Sequence, residues 1–329
     1  MNEATPKPPW AAADDAPIRI GVSHCLLGAN VRFDGGHKKD QFLTGHFAKF
    51  VEWVPVCPEV EVGMGTPRET LRLVRREGEV RMVTLKTGID HTDSMRTWAR
   101  RRAAELASED LSGYVLKKDS PSCGMERVKI YDGNGVPRKD GRGLFAEALL
   151  ERLPHLPVEE EGRLGDALIR DSFVERVFAY RRLRSFLSSR FTIGDLVAFH
   201  TAHKLQLMAH SPKAYAELGR LVAEAKALPR AELRQRYEQG FMDAMRALAT
   251  ARRHVNVLEH MLGYFKKRLP DEDRLELLSV IADYHRGLVP LIVPLTLLRH
   301  HVRRENVEYL HGQVYLDPHP RELMLRNHV

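Results

Sequence analysis

The sequence predicts an α/β domain with a mainly parallel, Rossmann-like sheet, followed by an all-α helical bundle. Three observations carry this. In the first half, short strand-like runs at residues 18–24, 54–56 and 112–116 alternate with helix-period stretches, the order of a sheet built from right-handed crossovers. From about residue 163 the strand signals stop and the hydrophobic period becomes 3.6. No stretch of 20–50 residues repeats itself, which favours a bundle over a solenoid.

Taken in order, the run at 18–24 alternates and stops at Cys25, and turns bearing Gly28, Gly35 and Gly36 follow. Residues 41–53, with Phe42, Phe47 and Phe50, predict an amphipathic helix. A second strand ends at Cys57-Pro58-Glu59, and two β-rich runs within 71–86 flank Glu77-Gly78 as a hairpin. Residues 93–106 predict a basic helix. The third strand leads into Lys117-Lys118-Asp119-Ser120-Pro121-Ser122-Cys123-Gly124, where proline and glycine forbid regular structure around the thiol. Asp132-Gly133-Asn134-Gly135 is a turn, 143–153 a helix and 156–158 a short strand.

In the second half, 166–188 predicts one helix. Thr192 and Asp195 form a capping box for a helix to His210, and Ser211-Pro212 supplies an N-cap and a first-turn proline for the next. Residues 230–269 read as one long helix or two, ended by Pro270. Helices at 271–286 and, interrupted by proline, 290–304 follow. The remaining tail has no clear period.

With 329 residues the chain is long enough for two domains, at 18–160 and 163–329, after a Pro- and Ala-rich tail at 1–17 expected to be disordered. The start lacks the charged-then-apolar order of a signal peptide. The longest apolar run, 288–298, is too short for a bilayer and carries Pro290 and Pro294, so no membrane partner is expected. Three cysteines cannot pair completely, which points to a reducing cytoplasm. Residues 1–160 hold 24 basic and 24 acidic residues, and 161–329 hold 27 and 20, so the whole excess of +7 lies in the helical half. A basic domain beside a neutral one suits a polyanionic partner, or is simply a basic surface.

Cys25, Cys57 and Cys123 each lie just past the carboxyl end of a predicted strand. If those strands are parallel neighbours, the thiols meet at the edge where open α/β sheets bind ligands. They show no C-x-x-C spacing, so a zinc ribbon is disfavoured. Three readings stay open: a Cys₃His zinc site completed by His24 or His37, unrelated buried thiols, and a [4Fe–4S] cluster. The third fits best. Three thiolates leave one iron without a protein ligand, free to act as a Lewis acid on a soft atom such as sulfur.

Ser23-His24-Cys25-Leu26-Leu27-Gly28, Val31-Arg32-Phe33-Asp34-Gly35-Gly36, Cys57-Pro58-Glu59 and Ser120-Pro121-Ser122-Cys123-Gly124 resemble the thiouracil desulfidase family over roughly residues 18–155. The resemblance implies non-redox removal of sulfur from thiouracil at a [4Fe–4S] cluster held by Cys25, Cys57 and Cys123. It also implies catalytic roles for Glu59 and Ser120. His24 departs from the family pattern, where that position is more often small. Glu59 is placed to exchange a proton with water or a ring nitrogen, or else caps nearby amides; Ser120 can hydrogen-bond the base or the departing sulfur, or else only shapes its loop. Lys117, Lys118 and Arg68 read as phosphate contacts or solvated charges.

On the helical half, Arg253, Asn256, His260, Tyr264 and Lys267 fall within an arc of about 80° if one helix runs through them. Such a stripe suits phosphate contact and base stacking, or is an ordinary solvated face. His200, His203 and His210 share an apolar face and read as buried, hydrogen-bonded histidines, with a metal site as the alternative. The stretches around 204–212, 256–266 and 290–299 resemble a helical domain found fused to desulfidase domains, in proteins similar to those acting on 4-thiouridine in tRNA. The reading is thus a two-domain cytoplasmic desulfidase acting on a thiolated uracil, with tRNA as the favoured substrate. Free thiouracil or thiouridine is the first alternative, and a zinc- or cluster-bearing RNA-binding protein without turnover the second.

Overall fold

The structure is a computed structural model and describes residues 18–329; the tail expected to be disordered lies outside the described residues. The chain divides into two compact units at Gly165/Asp166.

The first unit opens with strand β1 (Ile18–Ser23), helix α1 (Gln41–Thr44), β2 (Val51–Val56) and α2 (Pro58–Glu61). A hairpin of β3 (Leu71–Arg76) and β4 (Glu79–Thr84) turns at Glu77-Gly78 as predicted, with both residues at positive φ. Helix α3 (Thr92–Ala107), β5 (Gly113–Leu116), β6 (Val128–Tyr131), β7 (Pro137–Gly141), α4 (Leu144–Arg152) and β8 (Val158–Glu160) complete it.

Four strands form a parallel sheet in the order β2-β1-β5-β8. This is the mainly parallel α/β sheet the sequence predicts. The β1 burial pattern is nearly continuous, as expected for a central strand covered on both faces. Gly21 is required there: a Cβ at this position would overlap the ring of Tyr114 on β5, which is fully buried. A second, mixed sheet runs β4-β3-β6-β7.

The helix predicted over 41–53 is a correction. The α-helix stops at Thr44, a 3-10 turn covers Phe47–Lys49, and Val51–Val56 is strand β2. Six residues of β2 pair in register with all six of β1, and that ladder outweighs the local helical period. Strands β6 and β7, on either side of the predicted turn at Asp132-Gly133-Asn134-Gly135, have no counterpart in the expectations.

The second unit is helical. Its helices are α5 (Ala167–Ser188), α6 (Ile193–His210), α7 (Pro212–Ala223), α8 (Arg230–Arg246), α9 (Ala251–Gly263), α10 (Asp271–His285), α11 (Ile292–Arg304) and α12 (Glu308–His311), with 3-10 turns to the end. Thr192 and Asp195 form the reciprocal capping box, and the Ser211 side chain accepts from the Ala214 N–H. The stretch 230–269 is two helices, and the second stops at Gly263. A core of α6, α9, α10 and α11 residues includes Leu205, Val257, Met261, Leu277 and Leu295, with Phe265 from the turn after α9. No helix of the described residues is long and apolar enough to cross a membrane.

Candidate active site

Cys25 follows β1, Cys57 follows β2, and Cys123 lies on the loop after β5. These are three adjacent parallel strands, with β1 in the middle. Neighbouring strands lie roughly 4.8 Å apart, so loops leaving their carboxyl ends are brought to one edge. All three cysteines line a single cavity of about 340 Å³. All three thiols are free.

The sulfurs sense one another. Burial, and then Cys57, push the Cys25 thiol up to about 11. Burial pushes Cys57 up as well, and raises Cys123 further still, with Glu59, Cys25 and Cys57 adding to the effect and a Ser23 hydrogen bond opposing it. Left alone these groups are neutral thiols at pH 7. A positively charged ligand that takes thiolates relieves all three at once. No group of three or more His, Cys, Asp or Glu side chains among the described residues is arranged to hold a single metal ion. Three soft sulfur donors around one cavity suit an iron–sulfur cluster.

The Cys123 loop is set by its own sequence. Ser120 Oγ accepts the N–H groups of Ser122 (3.3 Å) and Cys123 (3.1 Å). The Gly124 N–H donates to Ser120 O (2.8 Å), and a Cβ on Gly124 would meet that same carbonyl and Val128. The Gly143 N–H bonds Gly124 O, which ties the loop to the start of α4.

Glu59 stands one residue inside α2, beside Cys57. Ser122 Oγ donates to its Oε1 at 2.7 Å, and Ser120 Oγ lies 3.0 Å from Ser122 Oγ. Arg68 Nε donates to Glu59 Oε2 at 2.9 Å, and Nη2 reaches the same oxygen. Neither partner was legible from spacing: Arg68 read as a phosphate contact or a solvated charge, and Ser122 only as part of its motif. Arg68 is instead an interior ion pair, with its side chain 7% exposed. Lys117 pairs with Glu161, Lys118 is exposed beside Asp119, and His24 lines the cavity. Arg32 stacks over Phe33 at 5.3 Å on the cavity wall.

In the helical unit the predicted stripe does not lie on one helix face, because α9 ends at Gly263 before Tyr264 and Lys267. Tyr264 and Phe265 donate to Met261 O and Leu262 O, the three-residue spacing of a closing turn, so the 100° count fails there. Arg253 Nη1 donates to His210 O (2.6 Å) and Leu248 O (3.0 Å), so it caps backbone. Asn256 and Lys267 are exposed. Tyr264 stacks on Tyr309 with centroids 4.9 Å apart, and the His260 ring meets Tyr264 edge-on at 5.7 Å. His200, His203 and His210 are buried and bonded, to Tyr237 Oη, Phe199 O and Ala247 O respectively.

A trio of cysteines, two buried and one half-buried, at the carboxyl edge of a parallel sheet, with a carboxylate–serine pair beside it, defines an α/β domain built around a sulfur-lined cavity. Residues 20–161 match the family described as 2-thiouracil desulfurase, and residues 204–320 match a protein of unknown function, DUF1722. The chain is 32% identical over 158 residues to the uncharacterized protein YbgA of Escherichia coli (strain K12), spanning 94% of that protein and 48% of this chain. It is 31% identical over 158 residues to the uncharacterized protein YbbK of Bacillus subtilis (strain 168), spanning 99% of that protein and 45% of this one. A solved structure, the [4Fe–4S]-dependent thiouracil desulfidase TudS, is 34% identical, with 93% of it and 45% of this chain covered at a TM-score of 0.37. Through its N-terminal domain the chain belongs to the 2-thiouracil desulfurase family.

Proposed function

We propose that this protein is a desulfidase that hydrolyses the C–S bond of a thiolated uracil, with free thiouracil or thiouridine as its substrate. One observation carries the reading: three free cysteines from adjacent parallel strands line one cavity together with a paired Glu59 and Ser122, within a 2-thiouracil desulfurase domain. Cys25, Cys57 and Cys123 would hold a [4Fe–4S] cluster. When bound through three thiolates, such a cluster supplies one iron without a protein ligand, a Lewis acid suited to a soft thiocarbonyl sulfur.

The rest of the chemistry belongs to the chain. The cavity is of the size small ligands occupy, and Phe33 and Val31 give it apolar wall against which a pyrimidine can pack. Water replaces sulfur at the ring carbon, so C=S and H₂O become C=O and H₂S, with no electrons gained or lost. Glu59 Oε1 retains acceptor capacity beside its bond from Ser122 and takes a proton from that water. Of the two roles expected for Ser120, its hydrogen bonds favour the loop-shaping one. Its oxygen already accepts two backbone N–H groups, so its role is to hold the loop and donate to Ser122.

A second reading, 4-thiouridine in tRNA, is favoured by one feature: the whole excess of +7 lies in residues 161–329. A base within folded RNA would then have to swing out to reach the cavity. Incubating the anaerobically purified holoprotein with 4-thiouracil, 4-thiouridine and bulk thiolated tRNA, and measuring released sulfide, decides between them. Release from free base or nucleoside is expected. Release from tRNA alone moves the assignment to the second reading, and release from none of them removes both.

A further inference from the structure

We propose that Arg68 is a positioning residue of this site: its guanidinium fixes the Glu59 carboxylate with Oε1 facing Ser122, and it affects turnover only through that carboxylate. The inference rests on the desulfidase reading for its kinetic consequence, but its geometry stands alone.

Each of the five N–H groups of Arg68 has a partner. Nε and Nη2 go to Glu59 Oε2, Nη2 also to Val31 O (3.0 Å), and Nη1 to Val31 O (3.0 Å) and Gly65 O (2.9 Å). None is left to hold a substrate anion. The same Val31 carbonyl contacts Cys57 Sγ at 3.7 Å, so one guanidinium joins the Val31 loop, the Gly65 turn and the first turn of α2.

Ordering of the other carboxylate oxygen follows. Both lone pairs of Ser120 Oγ are taken by the N–H groups of Ser122 and Cys123, so Ser120 can only donate to Ser122 Oγ. Ser122 in turn donates to Glu59 Oε1. The chain of hydroxyls therefore points one way, from Ser120 through Ser122 to Glu59. It closes only when the carboxylate is turned as Arg68 holds it. A lysine offers a point charge on a flexible stem and cannot grip one carboxylate oxygen and two carbonyls together.

The test compares R68Q, R68K, E59Q and R68Q/E59Q for sulfide release from 4-thiouracil, with iron content and a crystal structure for R68Q and R68K. The expected result is a fall in kcat of about 10²-fold in both Arg68 variants, with KM and iron content near those of the parent. In the E59Q background, R68Q should change kcat less than about twofold. The R68Q structure should show Glu59 turned away from Ser122. Parental kcat in R68K, a full additional loss in the double variant, an intact Glu59–Ser122 bond in R68Q, or loss of iron in both variants would overturn the proposal. If the parent protein itself releases no sulfide, the desulfidase reading fails, and the R68Q structure still decides the positioning claim.

Discussion

At the residue scale, Cys57 and Glu59 are two positions apart and do different things, which makes them separable by mutation. Cys57 faces the cavity with its sulfur, whereas Glu59 bonds Ser122 and Arg68. We expect Cys57→Ser to lose bound iron and activity together. Glu59→Ala should keep its iron and lose turnover by about 10²- to 10⁴-fold, the range of a lost general base; an active Glu59→Ala enzyme contradicts a proton-accepting role for that carboxylate. The cysteines were legible because each ends an apolar run or a stiff Pro/Gly loop. The Arg68–Glu59 pair was not. Nine residues separate them across two turns, and no period or motif connects a surface-looking arginine to a carboxylate it meets only after the chain folds.

At the element scale, strand pairing decided what local pattern could not. The phenylalanines at 42, 47 and 50 mimic a helix, yet Val51–Val56 joins the sheet because all six of its residues pair in register with β1. β7 is the opposite case: Pro-Arg-Lys-Asp-Gly has no strand propensity and is held by its pairing with β6, with a proline at its start as edge strands allow. The hairpin at Glu77-Gly78 and the capping box at Thr192 were legible because their signals are local. Gly21 shows what the central strand requires of its sequence. Gly21→Ala should force β1 away from Tyr114, costing about 1–3 kcal/mol, the usual cost of overpacking a core. A shift of that size in the urea midpoint, at unchanged slope, checks this; an unshifted midpoint contradicts the packing.

At the scale of the whole molecule, the two units differ in how they hold charge. The helical unit buries His203 and His254, and burial pushes them from 6.5 to about 3 and about 4. Both are neutral when folded and ready to take a proton when unfolded. Their unfavourable contribution is absent above pH 6.5 and grows as pH falls toward their folded values, reaching about 2 kcal/mol each at pH 5. Buried Glu175, held low against the desolvation cost by His210 and Arg326, loses its pairing in the same direction as pH falls below the ordinary carboxylate range. The helical unit should therefore unfold more readily from pH 6.5 to 4.5, seen as a falling midpoint by circular dichroism; a flat profile contradicts it. The two-part α/β-then-helical organisation was readable from the change in hydrophobic period, whereas the choice between free base and RNA was not, because net charge names no ligand.

Whether the three thiols share one cluster is decided by counting iron and acid-labile sulfide per chain after anaerobic reconstitution, in the parent and in Cys25→Ser, Cys57→Ser and Cys123→Ser. About four of each are expected in the parent, with a near-complete loss in every variant. A single zinc per chain, or a full complement of iron in any one of the three serine variants, would contradict a cluster held by these cysteines.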